Sequence, residues 1–304
     1  MIGTFLFNLS RHWKTVFLMV CVLALSGCKK PEFDGEKAMA ETEALVKIGS
    51  REAGSGGARR AAVMLDGKLK MLGVKSTIDS FSEETSNGKM FFNNVLARIP
   101  GKTDRLIVLA SHFDTKSGIS KDFQGANDSG SSSGALLELA RVLKKRAPLE
   151  TEFMIAFLDG EECRTEYGPH DGLHGSRHLA QQIYEAGGAQ KVEAVIVLDM
   201  IGDKNLNISL PQNCSRKLVK EIFYAAHELG VRPQFSIGPG SILDDHVPFQ
   251  IAGMPVIDVI DFDYGSAPGL NDYWHTSADT LDKLSVKSLQ TVGNVVLKMV
   301  ENLQ

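Results

Sequence analysis

Cysteine is scarce. Four residues in 304 cannot frame a disulfide scaffold, so stability must come from a hydrophobic core, which a chain this long can build. A basic excess is missing too: 33 Lys and Arg stand against 37 acids, giving a net charge of −4. Without a basic stripe, a nucleic-acid partner is not expected. No apolar run reaches the length of a comfortable membrane span. Beyond residue 34 there is no internal repeat, low-complexity tract or linker, so residues 35–304 are expected to form one domain.

The start of the chain is of another kind. Arg11 and Lys14 precede an apolar stretch from Val16 to Leu25, and Ser26-Gly27-Cys28 follows. A positive start, a short apolar run and small residues make a secretory signal. Leu25-Ser26-Gly27-Cys28 also resembles a bacterial lipobox, in which the Cys28 thiol receives diacylglycerol and becomes the first residue. Residues 1–27 are therefore expected to be a lipoprotein signal and residues 28–34, with Lys29-Lys30-Pro31, a polar tether at the periplasmic face of a bacterial membrane. An ordinary cleaved signal ending near a cysteine would share these features. Removing residues 1–27 takes away Arg11, Lys14 and no acid, moving the charge from −4 to −6. Cys28, Cys163 and Cys214 remain, and an exported location is compatible with a Cys163–Cys214 bridge.

Residues 35–73 read as two helices broken at the glycine-rich stretch 49–57. From there the pattern alternates. Strands are expected at Phe91–Ile99, Leu106–Ala110, Phe153–Leu158, Val192–Leu198 and Val256–Ile260. Helices are expected at Ser131–Lys145, with Leu136, Leu137, Leu139, Ala140 and Leu143 buried, at Gly175–Ala186, at Ser215–Leu229 and at Ser285–Asn302. Continuous apolar strands separated by helices predict an α/β fold, a three-layer α/β/α arrangement around a mostly parallel mixed sheet.

In such sheets functional groups gather at the carboxyl ends of the strands. The residues just past those ends are Ser111-His112-Phe113-Asp114, Asp159-Gly160-Glu161-Glu162, Asp199-Met200-Ile201-Gly202 and Asp261-Phe262-Asp263. With Asp128 and His275 they offer carboxylates and imidazoles to a divalent ion such as zinc, which accepts both. Each acid taken separately could cap a turn, and Gly125-Ala126-Asn127-Asp128-Ser129-Gly130 favours turns. Glu161-Glu162 fits that reading less well, because adjacent carboxylates after a buried strand repel one another and a metal would offset the cost.

Ser111-His112-Phe113-Asp114, Gly125 to Gly130, Asp159 to Glu162, Leu198-Asp199-Met200 and His275-Thr276 fall in the order seen in the M28 family of zinc exopeptidases. The resemblance covers roughly residues 35–304. Within that family the chain most resembles the glutaminyl-peptide cyclotransferases, or glutaminyl cyclases. Leu173-His174-Gly175-Ser176-Arg177-His178-Leu179-Ala180, Asp244-Asp245-His246-Val247-Pro248-Phe249 and Trp274-His275-Thr276 carry that closer likeness.

The resemblance implies one zinc held by Asp128, Glu162 and His275 and a substrate with an N-terminal glutamine. Its α-amine attacks the side-chain γ-carbonyl, ammonia leaves and pyroglutamate forms. Glu161 would shuttle the proton, while Asp199 and Asp244 would face each other, share a proton and hold the amide. Trp274 and Tyr167 would wall the pocket. His246 would support its loop, His170, His174 and His178 would be structural or exposed, and Cys163 a bystander. Two alternatives stay open. In a two-zinc aminopeptidase, His112 and Asp199 would bind a second ion bridged by Asp128. A peptide- or zinc-binding lipoprotein without catalysis would leave Glu161, and the Asp199 and Asp244 pair, without a purpose.

Overall fold

The computed structural model describes Glu32–Gln304; the expected signal and Cys28 lie outside the described residues. Helices α1 (Gly35–Val46) and α2 (Gly56–Met71) both start on side-chain caps. Asp34 accepts from the Lys37 N–H, and Ser55 accepts from those of Gly57 and Ala58. Strands β1 (Lys75–Thr85) and β2 (Gly88–Ile99) follow as an antiparallel hairpin. β1 is absent from the sequence reading because its residues are mostly polar, and it lies at the sheet edge where they meet water.

Four strands then run parallel: β3 (Leu106–His112), β4 (Glu152–Leu158), β5 (Val192–Asp199) and β8 (Val256–Ile260). The six-stranded sheet has the order β1-β2-β4-β3-β5-β8, and β6 (Ile208–Leu210) pairs with β7 (Phe235–Ile237) in a small second sheet. The remaining helices are α3 (Ser132–Arg146), α4 (His174–Glu185), α5 (Arg216–Glu228), α6 (His246–Ile251) and α7 (Val286–Asn302).

Strand side chains alternate between the two faces of the sheet. Ile107 and Leu109 of β3 pack with α1, α2, α3, α5 and α7, whereas Leu106, Val108 and Ala110 pack with α4 and α6. Both faces are covered, which is why these strands read as unbroken apolar runs. The expected three-layer α/β/α architecture is the one observed. The stripe Leu136, Leu137, Leu139, Ala140 and Leu143 on α3 is buried, each leucine contributing about 1.5–3 kcal/mol of burial. Cys163 and Cys214 are both buried and free, so no bridge joins them. No helix among the described residues is long and apolar enough to cross a membrane.

Candidate active site

Parallel strands end together, and β3, β4, β5 and β8 deliver their carboxyl-terminal residues to one edge of the sheet. His112 closes β3 beside Leu158 of β4, and Asp199 closes β5 beside Ile260 of β8. Two backbone devices aim the side chains there. Gly160 has φ +78°, and a Cβ on it would meet the Phe92 ring at 2.7 Å, so the turn into Glu161 requires glycine. Met200, just after Asp199, and His275 adopt left-handed φ values of 46° and 54°, a conformation residues with side chains keep only where their surroundings impose it.

Asp114 holds the glutamate pair. Its two carboxylate oxygens accept the backbone N–H groups of Glu161 at 3.1 Å and Glu162 at 3.2 Å. Asp128 sits in an irregular turn, Ala126–Ser131, fixed in the same way from the other side. Asp279 accepts the N–H groups of Asn127 at 2.8 Å and Asp128 at 3.2 Å, and the Tyr264 hydroxyl at 2.7 Å.

Ligand atoms of Asp128, Glu162 and His275 converge within 4.8 Å. His275 Nε2 lies 3.0 Å from Glu162 Oε1 and 3.3 Å from Asp128 Oδ2. Donors placed at roughly 2.0–2.1 Å around a tetrahedral zinc are themselves about 3.3 Å apart. Two carboxylates and one imidazole at this spacing therefore fit that ion. A second group shares Asp128: His112 Nε2 is 3.2 Å from Asp128 Oδ1 and 3.3 Å from Asp199 Oδ1. Asp128 thus turns one oxygen to each histidine.

The two groups differ in access. A cavity of about 210 Å³ is lined by Asp128, Glu162, His275, Glu161, Asp199 and Asp244, with Tyr167, Trp274, Phe262, Ile242, Leu243 and Ile260 as its walls. His112 is 2 % exposed and is not in that lining. Trp274 stacks on His275 with ring centroids 3.9 Å apart and leans on Phe262 at 5.2 Å. Tyr167 donates its hydroxyl to Glu161 Oε1 at 2.8 Å.

Burial and mutual charge shape the titration of this cluster. Burial, reinforced by Glu162, Asp244 and Asp245 and opposed by His112, pushes the Glu161 carboxyl well above the ordinary range. Burial also raises Asp199, to about 7, with His112 opposing and Asp128 and Asp244 adding. For Asp128 burial is outweighed by His112 and His275, which hold its carboxyl well below the usual value. His275 rises to about 9, because Asp128 and Glu162 outweigh its burial.

Residues 94–300 match peptidase family M28. The chain belongs to this family. Among curated relatives, the glutaminyl-peptide cyclotransferase-like protein of Bos taurus is 32 % identical over 275 residues, 81 % of this chain and 70 % of that protein. Among solved structures, an Acidobacteriales bacterium glutaminyl cyclase superposes with a TM-score of 0.85 at 34 % identity, covering 91 % of this chain and 97 % of its own. A Zn-dependent exopeptidase from Parabacteroides distasonis follows at TM-score 0.80 and 27 % identity, covering 90 % and 99 %. Zinc is accordingly the metal this M28 chain's carboxylate and imidazole groups suit, and among the described residues three such groups are present: Asp128, Glu162 and His275; His112, Asp128 and Asp199; and Asp244, His246 and Asp258.

Besides Asp279 and Tyr264, three further residues of this M28 site were not singled out in the sequence. Arg51, fully buried, donates from Nε to the Phe113 carbonyl at 2.8 Å, from Nη1 to that of Gln124 at 2.8 Å and from Nη2 to that of Gly125 at 2.9 Å. Burial pulls its guanidinium down to about 10 against Asp279, Asp114 and Asp128, so it stays charged at neutral pH. Lys116 donates to the Cys163 carbonyl at 2.7 Å and lies 3.4 Å from Glu162 Oε2. Asp258, inside β8, is within 4.8 Å of Asp244 and His246. An acid in the middle of Val256-Ile257-Asp258-Val259-Ile260 was the signal available for it.

Asp258 changes how Asp244 is understood. Asp244 acts on Asp199 through its charge, but the carboxyl grouped with it is that of Asp258. Asp244 Oδ2 and both Asp258 oxygens are buried without a hydrogen bond, and Asp258 Oδ2 lies 3.4 Å from His246 Nδ1. Burial and Asp244, with Cys214 and Asp199 adding, push the Asp258 carboxyl well above its ordinary value. His246 Nε2 accepts from the Asn213 side-chain amide at 2.8 Å, His174 bonds Glu83 at 2.6 Å, and His178 stacks on Phe81 at 3.8 Å. These histidines hold loops and strands together.

Proposed function

We propose that this chain is a zinc-dependent glutaminyl-peptide cyclotransferase, closing the N-terminal glutamine of peptides or proteins to pyroglutamate with release of ammonia. The observation that carries the reading is the carboxyl of Asp244 on the wall of the same small cavity as Asp199 and Glu161, above Asp128, Glu162 and His275. The M28 relatives named as glutaminyl cyclases support it.

Zinc bound by Asp128, Glu162 and His275 would supply a Lewis acid to the γ-carbonyl of the glutamine. Asp114 keeps Glu162 in place through its backbone and leaves the Glu161 carboxyl free to serve the substrate. Glu161 accepts a proton from the attacking α-amine and returns it to the departing nitrogen, with the Tyr167 hydroxyl fixing its orientation. Asp199 and Asp244 hold the amide and the leaving ammonia, and Asp258 keeps Asp244 from turning away. Trp274 and Phe262 give the glutamine an apolar wall and limit water. No water is consumed, because the nucleophile is already part of the substrate and needs only to be folded back.

A second reading has one specific observation behind it. His112, Asp128 and Asp199 form another zinc-sized group, and an aminopeptidase would use both ions to hydrolyse N-terminal residues. The buried position of His112 behind Asp128 favours the single-zinc form. Incubation with a glutaminyl-peptide and an unblocked leucyl-peptide separates the two. The cyclase releases ammonia from the first and leaves the second intact; free leucine with no ammonia would overturn it.

In this reading residues 35–304 are the catalytic domain and Cys28 carries a lipid anchor on the periplasmic face, by the Leu25-Ser26-Gly27-Cys28 motif. The full chain should then fractionate with membranes and its Cys28→Ala form should not. Equal distribution of the two forms would remove the anchor from the proposal.

A further inference from the structure

A larger cavity, of about 590 Å³, adjoins the catalytic pocket and is used by nothing described above. It lies between α4 and α6, and Tyr167 and Leu243 line both it and the pocket. Its size falls within the roughly 300–1,000 Å³ of sites that take small ligands. Its walls are apolar: Ala180 and Tyr184 come from α4, Val247 and Ile251 from α6 and its end. Tyr184 is 63 % exposed, Leu243 48 % and Ile251 81 %, so the described residues do not cover them. Arg177 brings the one cation of the lining. It donates to the Gly168 carbonyl at 2.9 Å, and burial lowers its guanidinium against the opposing charges of Glu83, Asp171 and Asp245.

We propose that this groove binds the residues following the N-terminal glutamine of a peptide substrate, and that it selects large apolar ones. The inference rests on the cyclase reading. The small catalytic pocket takes the reacting end of a peptide, and the residues after it must leave across the rim. Tyr167 and Leu243 are that rim on the α4 and α6 side, so a chain crossing them enters the groove directly. With Arg177 tied to the Gly168 carbonyl and set among Glu83, Asp171 and Asp245, the walls favour the apolar surface of leucine or phenylalanine over an acidic residue. Tyr167 belongs to both sites: its hydroxyl orients Glu161 and its ring forms the start of the groove. Occupancy of the groove therefore acts next to the group that moves the proton.

The test compares kcat/KM for ammonia release by the zinc-loaded full chain on three substrates. These are glutamine amide, a peptide with leucine and phenylalanine after the glutamine, and one with glycine and serine there. The apolar peptide should exceed the glycine–serine peptide by about tenfold, the gain expected from partial burial of one or two apolar side chains. Ile251→Asp and Tyr184→Asp, both at exposed positions, should each bring that ratio towards one. Equal values for the two peptides, or a ratio unchanged in both variants, would overturn the groove while leaving the cyclase standing. So would an intact ratio in variants that lose binding to phosphatidylglycerol vesicles, which would make this face a membrane contact. Absence of ammonia from all three substrates, glutamine amide included, would overturn the cyclase reading and the groove with it.

Discussion

Glu161 and Glu162 are neighbours in sequence with their N–H groups on one aspartate, yet their carboxyls part company. Glu162 turns to His275 and Lys116, and Glu161 to the Tyr167 hydroxyl. That divergence gives one acid to a metal and keeps the other for protons. Replacing Glu161 by Gln keeps an acceptor for Tyr167 and removes the proton carrier. The expected result is zinc retained at the wild-type level and kcat lowered about 10²–10⁴-fold. Near-normal turnover in a zinc-replete Glu161→Gln protein would take the proton-shuttle role from this residue. His112, Asp114, Glu161, Glu162 and Asp199 were legible because each stands at or just past the end of a strand that reads as an apolar run, whereas Asp128, Asp244 and His275 lie in loops and were legible only through the motifs that carry the family resemblance. Asp258 was not, because it sits inside such a run, where its partner Asp244 comes from a different part of the chain.

At the scale of elements, the apolar strands and long helices announced themselves by their patterns, and their ends fell within a residue or two of those read from sequence, except that β2 starts at Gly88, three residues before the expected Phe91. β1 did not, being polar and at an edge, nor did β6, β7 and α6, which are too short to show a period. The glycine-rich break between α1 and α2 was legible as a break but not as a support. It carries Arg51, whose guanidinium ties the carbonyls of Phe113, Gln124 and Gly125 and thereby sets the approach to the Asp128 turn. Gly125 suits this clamp, since its φ is +51° and a Cβ would meet the Asp128 carbonyl at 2.5 Å. Arg51→Lys keeps the charge and loses the planar fork. It should destabilise the protein by about 2–3 kcal/mol, since hydrogen bonds to charged groups contribute about 1.5–3 kcal/mol each. It should also weaken zinc binding through the Asp128 turn. Unfolding and zinc titrations that match the wild type would mean the three carbonyls are held without it.

Among the described residues, four parallel strands end beneath one cavity while five helices cover one face of the sheet and two the other. Fold class and the place of the site follow from that pattern and were readable in advance. The number of ions was not, because Asp128 offers one oxygen to each histidine and the sequence holds ligands for both groups. Burial distinguishes them only in three dimensions, with His275 at the pocket and His112 behind it. The most direct measurement is therefore to strip the protein with a chelator, return zinc in steps and follow ammonia release from a glutaminyl-peptide at each step. A single-zinc cyclase reaches its full rate at about one zinc per chain and gains nothing from a second. Ammonia absent at every loading, with free N-terminal residues appearing as about two zincs bind, would contradict the account.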